Sequence, residues 1–257
     1  MPKKFNTTTS WESAEPWYQE CVGERGHYYH QSIILPSSLR LLEISEHSNG
    51  ALLDLGCGQG VLARRLPSGI KYVGLDNSAS LIRHAVQQTK NKNHQFIQGD
   101  ATKPLSLPKL DFDWAAFILS LQNMEDGKAA VFHGAEQLKS GGLLLLVLNH
   151  PCFRIPRQSD WGIDEQAHLQ YRRMNRYMSP LKIPIQTHPG RKEKSSTTYS
   201  FHHPLSDYVQ WIKEARCVVE SMQEWCSDKQ SEGGRARIEN RARKEFPLFL
   251  ALLCRKM

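Results

Sequence analysis

With 257 residues, 40% of them hydrophobic, and 17 glycines, the chain is of globular composition, which excludes a mainly disordered polymer and suits one large domain. No apolar run nears the ~20 residues of a membrane span, the longest being Leu143 to Leu148, and the basic start Met1-Pro2-Lys3-Lys4 lacks the apolar core of a signal peptide. Lys and Arg exceed Asp and Glu by a net +7, which scattered surface charge explains before nucleic acid does; six cysteines without CxxC or Cys/His spacing point to a reduced, cytoplasmic protein with no metal site.

The first regular element is a serine-capped helix from Ser37 to Leu42. Ala51 to Leu55 reads as a buried strand, and Val61 to Leu66 as a helix after a glycine turn. Lys71 to Leu75 is a second strand, followed by a helix from Ala79 to Gln88 with its apolar face at Leu81, Ile82, Ala85 and Val86. His94 to Ile97 and Phe112 to Leu119 are further strands, Lys128 to Lys139 a helix, and Leu143 to Leu148 a fifth strand. Residues 150–203 break the rhythm with proline, Arg, Tyr, Trp and His, and read as an insertion folded over the sheet. Within it, Gln170 to Tyr177 interleaves arginine with aromatics: a pocket wall, an RNA contact, or a packed helix with a basic face. A helix starts at Pro204-Leu205-Ser206-Asp207, and Cys217 to Met222 and Phe246 to Leu253 are the closing strands around a basic helix from Glu232 to Lys244. Strands alternating with crossover helices predict an α/β, doubly wound, seven-stranded, mostly parallel sheet with helices on both faces and an antiparallel final strand at or near an edge.

The most informative stretch is Asp54-Leu55-Gly56-Cys57-Gly58-Gln59-Gly60. Glycines after a buried strand let the backbone turn tightly and approach a ligand that a Cβ would exclude, and the next helix then starts with its N–H groups facing that ligand. A dinucleotide site spaces its glycines GxGxxG to seat a pyrophosphate; here Val61 holds the third position and the spacing is GxGxG. Asp54 beside the loop would repel pyrophosphate and attract a cationic ammonium. Asp76 ends the second strand twenty positions after Gly56, where an acid accepts ribose hydroxyls, and Gly99-Asp100-Ala101 ends the third, where an acid or amide meets the adenine amine. Ammonium, ribose and adenine sites in that order describe S-adenosylmethionine more closely than NAD.

These motifs resemble those of class I S-adenosylmethionine-dependent methyltransferases. Phe112-Asp113-Trp114 through Leu119 matches the family's fourth strand, and Leu138-Lys139-Ser140-Gly141-Gly142 the turn before the fifth; the match covers roughly residues 37–150 and returns for 204–254. The resemblance implies a lid segment at 1–36 and a Rossmann-like catalytic domain at 37–257 with a cap insertion at 150–203. It implies S-adenosylmethionine as cofactor, held by Asp54, Gly56, Cys57, Gly58, Gly60, Asp76, Asn77, Asp100, Ala101 and Leu119. Cys57 reads as a packing residue whose backbone matters, and Asp113 as structural. In lid position, Tyr28, Tyr29 and His30 become substrate-side candidates, Tyr29 a catalytic one.

The residues after the fourth strand, Ser120-Leu121-Gln122-Asn123-Met124, face the methyl group in this family, which makes Gln122 and Asn123 substrate candidates. They lack the Asn/Asp-Pro-Pro-aromatic signature of base-amine methylation, and there is no Pro-Cys nucleophile, so a nucleic-acid acceptor is not favoured. Asn149-His150-Pro151-Cys152-Phe153-Arg154-Ile155-Pro156-Arg157 follows the fifth strand, whose carboxyl end borders the ligand crevice of an open α/β sheet. His150 there is either a general base or the end of a strand, while Phe153, Arg154 and Arg157 could hold an aromatic or anionic acceptor. The His-Pro-x-Phe element resembles one in uncharacterised members of the small-molecule branch. His188, His202 and His203 lie near loop ends, with no third ligand to make the adjacent pair a metal site, and Arg235 to Lys244 reads as a solvated basic face. A methyltransferase for a small anionic or aromatic molecule is the favoured reading; an RNA or protein methyltransferase, or a non-catalytic cofactor-binding protein, is the alternative.

Overall fold

The computed structural model describes residues 11–14, 22–23, 26–108, 111–186 and 197–257, so His188 and most of the lid segment lie outside the described residues. Strands β1 (Gly50–Leu55), β2 (Ile70–Asp76), β3 (His94–Gln98), β4 (Phe112–Ile118) and β5 (Leu138–Asn149) run parallel; β10 (Cys217–Trp225) and β11 (Phe249–Lys256) complete one seven-stranded sheet. Its order is β10-β11-β5-β4-β1-β2-β3, with β11 antiparallel between β5 and the edge strand β10. Side chains alternate between two buried layers. Leu53, Ala115, Leu144 and Leu146 face one core with Val131 of α3 (Gly127–Glu136) and Ile212 of α4 (Leu205–Glu214). Leu52, Ala116, Leu145 and Val147 face the other, with Leu35 of α1 (Leu35–Leu41) and Ile82 of α2 (Ala79–Gln88). Because β2 lies on one side of β1 and β4 on the other, the chain reverses direction between β1 and β4 and leaves a crevice beyond their carboxyl ends.

Three local expectations are corrected. The first helix has no serine cap: a π-helical turn at His30–Ile34 runs directly into α1, Ser37 and Ser38 are buried within it, and the expected boundary at residue 36 falls inside the helix. Val61 to Leu66 forms only a 3-10 turn, Ala63–Arg65, because Leu66 must turn extended (ψ 145°) ahead of Pro67. Gln170 to Tyr177 is not a helix. Leu169–Met174 is strand β7, paired with β6 (Ser159–Asp164) so that Trp161 stands opposite Arg172, and its exposure alternates residue by residue. A second hairpin joins β8 (Leu181–Gln186) to β9 (Thr197–His202), so the described part of the cap insertion is two hairpins. The closing helix, α5, spans Ala236–Glu245. Asp113 ties the start of β4 to β1, its Oδ2 accepting from Ala51 N at 2.8 Å. No helix among the described residues is long and apolar enough to cross a membrane.

Candidate functional site

A cavity of about 760 Å³ fills the crevice, within the usual range for ligand sites. Each parallel strand delivers residues to it at its carboxyl end: Gly56 and Gly58 after β1, Asp76 and Asn77 after β2, Asp100 and Ala101 after β3. Leu119, Gln122 and Asn123 follow from β4, and Asn149 and Arg154 from β5. The opposite wall comes from the cap (Pro156, Ile185, Ser200) and from Trp11, His27, Tyr29 and His30 of the N-terminal segment.

The glycine loop is held by the next strand. The N–H groups of Gly56 and Cys57 both donate to Leu75 O, at 2.7 and 3.0 Å, and Gly58 N donates to Asp76 Oδ2 at 2.8 Å. Gly56 adopts φ 77°, and a Cβ there would meet Ser120 Cβ at 2.4 Å; Ser120 is itself pinned by a 2.5 Å bond from its hydroxyl to Leu55 O. Gly60 and Cys57 stay outside the lining. Gly60 makes room for Phe96, and the Cys57 thiol is buried.

Asp76 also accepts from Ser78 N at 2.9 Å, and burial raises its carboxyl above the ordinary range. Beside it the turn Trp11–Ala14 places Glu12 on the start of α2, where Ser78 Oγ and Ser80 N donate to Oε2 at 2.7 and 3.0 Å, so the N-terminal segment closes over that end of the cavity. Asp100 Oδ1 accepts from Thr102 N and Oγ1 at 2.9 and 2.8 Å, which fixes the carboxyl at the rim.

Asp54 lies behind the loop, outside the lining. It is buried, its Oδ2 accepts from Tyr72 Oη at 2.7 Å, and its Oδ1 has no partner among the described residues. Burial, with the Asp76 charge adding to it, raises the Asp54 carboxyl to about 7. A folded pKa raised from 3.8 means that stability falls as pH climbs from 3.8 towards about 7, and a bound cation would restore it. Cofactor affinity is therefore expected to rise with pH below about 7, by at most about tenfold per unit, with Asp54→Asn flattening that limb. Calorimetry between about pH 5.5 and 7 checks this; an affinity that fell with rising pH over that range would contradict it.

Beyond β4, Gln122 is buried and its Oε1 has no partner among the described residues, and Asn123 Nδ2 donates to Leu119 O. Tyr29 packs edge-on against Phe249 and shares a 2.9 Å hydrogen bond with Ser227 Oγ. Arg154 sits over the Phe249 ring, 5.2 Å from its centroid, and burial pushes its guanidinium pKa down. The His27 and His30 rings lie with centroids 4.0 Å apart, tilted 52° to one another. His27 Nδ1 accepts from Tyr29 N at 3.1 Å, and burial holds both rings neutral, His30 with a pKa of about 3. His27, missed as a single residue in the sequence, is found by its spacing: three positions before His30, it shares the same helical face.

The structure does not bring His150 to the cavity. The ring is buried; Nδ1 accepts from Cys152 N at 3.2 Å, which leaves Nε2–H to donate to Glu224 Oε1 at 2.7 Å. Both nitrogens are used, and burial lowers its pKa. The ring also packs on Phe153, and its carbonyl accepts from Arg154 N at 2.7 Å, so the element builds the turn that presents Arg154. Phe153, Tyr28 and Arg157 also lie outside the lining; Arg157 is exposed with φ 61°. His202 Nε2 bonds Tyr177 O and His203 Nδ1 bonds Asp207, and no group of three potential metal ligands gathers among the described residues.

Residues 53–146 match the family model described as a methyltransferase domain. An uncharacterized methyltransferase of Mycobacterium bovis is 32% identical over 97 residues, 37% of this chain and 49% of that protein, so the chain spans about half the length of the curated relatives it matches. Among solved structures, an S-adenosylmethionine-dependent methyltransferase from Mesorhizobium loti superposes with a TM-score of 0.66 at 23% identity, covering 88% of this chain and 99% of that one. The glycopeptide N-methyltransferase MtfA, solved with S-adenosylmethionine, superposes with a TM-score of 0.55 at 14% identity, over 87% of this chain and 94% of that one. The fold is Rossmann-like, as in these solved structures.

Proposed function

We propose that this chain is an S-adenosylmethionine-dependent methyltransferase acting on a small molecule, of the subgroup with an Asn-His-Pro-x-Phe element after the fifth strand. One juxtaposition carries the reading: Gly56, Gly58, Asp76, Asp100 and Leu119 line the same cavity as Gln122, Tyr29 and Arg154, beneath a cap. Its chemistry fits the cofactor, since the glycine turn leaves backbone room, the Asp54 carboxyl behind the loop favours a cation at that end, and Asp76 at the cavity wall suits a ribose. Bound S-adenosylmethionine supplies an electrophilic methyl group on a sulfonium.

The chain's own work is alignment and exclusion of water. Gln122, Asn123 and Asn149 surround the ends of β4 and β5 with amide donors and acceptors that fix the acceptor's nucleophilic atom. Arg154 neutralises an anionic acceptor, and Tyr29 is the catalytic candidate on the lid side. His150 is a positioning residue that acts through Arg154. Free thiols at all five described cysteines suit the cytoplasm.

The experiment is methyl transfer from labelled cofactor into size-fractionated cell extract. Label in the small-molecule fraction is expected; label confined to RNA or protein would replace the acceptor class. His150→Ala is expected to lower stability by about 1–3 kcal/mol, by stranding the Cys152 N–H, while the pH–rate profile keeps its shape. A rate loss of about 10²–10⁴ at unchanged stability would make His150 a base after all.

A further inference from the structure

A second, smaller pocket of about 250 Å³ adjoins the main cavity and shares Tyr29 and Arg154 with it. Its remaining wall includes Arg172, Arg243, Trp161 and Ser227. Three elements distant in sequence thus converge three guanidinium groups on one small volume. Arg172 comes from β7: its Nε donates to Phe153 O at 2.7 Å, its Nη2 to Ser159 Oγ at 2.9 Å, and its guanidinium lies 4.9 Å from the Trp161 ring centre. Arg243 comes from the last turn of α5; its Nη2 donates to Ser231 Oγ at 3.0 Å, and its Nε is buried without a partner among the described residues. Arg154 comes from the turn after β5 and rests on Phe249.

None of the three forms an ion pair within 4.0 Å among the described residues, although their neighbours do. Glu224 is taken by His150 and Glu165 by Arg235. Asp160, the acid nearest in effect, acts on Arg172 and spends Oδ1 on Trp161 N. Burial lowers the pKa of both Arg154 and Arg172; at Arg154 the Arg172 charge adds to the lowering, and at Arg172 Asp160 offsets part of it. Unpaired, part-buried cations cost free energy unless something of opposite sign completes them. Guanidinium forks that have used only one or two of their donors on the protein still present N–H groups in the planar geometry that oxyanions accept.

We propose that this pocket is a phosphate subsite: the acceptor carries a phosphate monoester held between Arg154, Arg172 and Arg243, and its methylatable atom reaches past Tyr29 into the main cavity. This rests on the methyltransferase reading for the second half only; the anion site stands on its own geometry. Arg154, at the junction of the two spaces, then serves both the anion and its alignment. Trp161 and Phe246, edge to face at 5.5 Å, wall the pocket with apolar surface that strengthens the charged contacts inside.

The test is calorimetry and ³¹P NMR with inorganic phosphate and phenyl phosphate, on the full chain without cofactor. Saturable one-site binding is expected, phenyl phosphate tighter than benzoate, with Arg243→Gln weakening it at least about tenfold. Arg172→Gln is expected to do the same, but Arg172 also ties the hairpin to Phe153, so Arg243→Gln is the variant that decides. In both variants S-adenosylhomocysteine should bind as in the parent. Phosphate binding that is absent, or equal in parent and Arg243→Gln, would overturn the subsite even if S-adenosylhomocysteine binds. Phosphate binding without S-adenosylhomocysteine binding would keep the subsite and remove the methyltransferase reading. A 5′-phosphorylated oligonucleotide that binds tightly where phenyl phosphate does not would overturn a small-molecule acceptor.

Discussion

Gly56→Ala is expected to destabilise the protein by roughly 2–6 kcal/mol and to abolish measurable cofactor binding. Two costs add. At φ 77° an L-residue occupies the left-handed region, at about 1–3 kcal/mol. The new methyl would also lie 2.4 Å from Ser120 Cβ, and accommodating it by overpacking costs about 1–3 kcal/mol more. Ser120 cannot swing aside cheaply, because its hydroxyl holds Leu55 O at 2.5 Å at the very end of β1. Relief must come from the loop, whose N–H groups are anchored on Leu75 O. Urea unfolding reads the first effect and calorimetry with S-adenosylhomocysteine the second. A variant of parental stability and affinity would show that the loop conformation is not what receives the ligand.

Asp76→Ala should weaken cofactor binding at least about tenfold, since each hydrogen bond to a charged acceptor contributes roughly 1.5–3 kcal/mol. The carboxylate already organises the site: Gly58 N and Ser78 N converge on its two oxygens, joining the glycine loop to the start of α2. Removing it takes away the proposed ribose acceptor and also leaves the Gly58 N–H without its partner. Asp76→Asn, which keeps one acceptor, should fall between the two. Parental affinity in Asp76→Ala would take Asp76 out of the site.

What the sequence made legible follows periodicity and backbone constraint. Buried strands such as Leu144 to Leu148 and the glycine turn announce themselves because each depends on residues adjacent in the chain. The cap did not, because β7 has no apolar alternation of its own; its character as a strand comes from pairing Arg172 with Trp161, and the arginine spacing reads equally as a helix face. His150 illustrates the same limit. Position after β5 made it a base candidate, but its Nε2 is taken by Glu224 on β10, 74 residues away, and the ring stays outside the cavity lining. The convergence of Arg154, Arg172 and Arg243 is likewise a product of tertiary placement that no local pattern encodes.

The crevice beyond β1 and β4 is proposed to receive S-adenosylmethionine. Titration calorimetry of the full chain with S-adenosylmethionine, S-adenosylhomocysteine and NAD tests it most directly. The geometry predicts saturable one-site binding of the first two and none of NAD, because GxGxG spacing beside Asp54 leaves no seat for a pyrophosphate. Binding of NAD, or of none of the three, would contradict it.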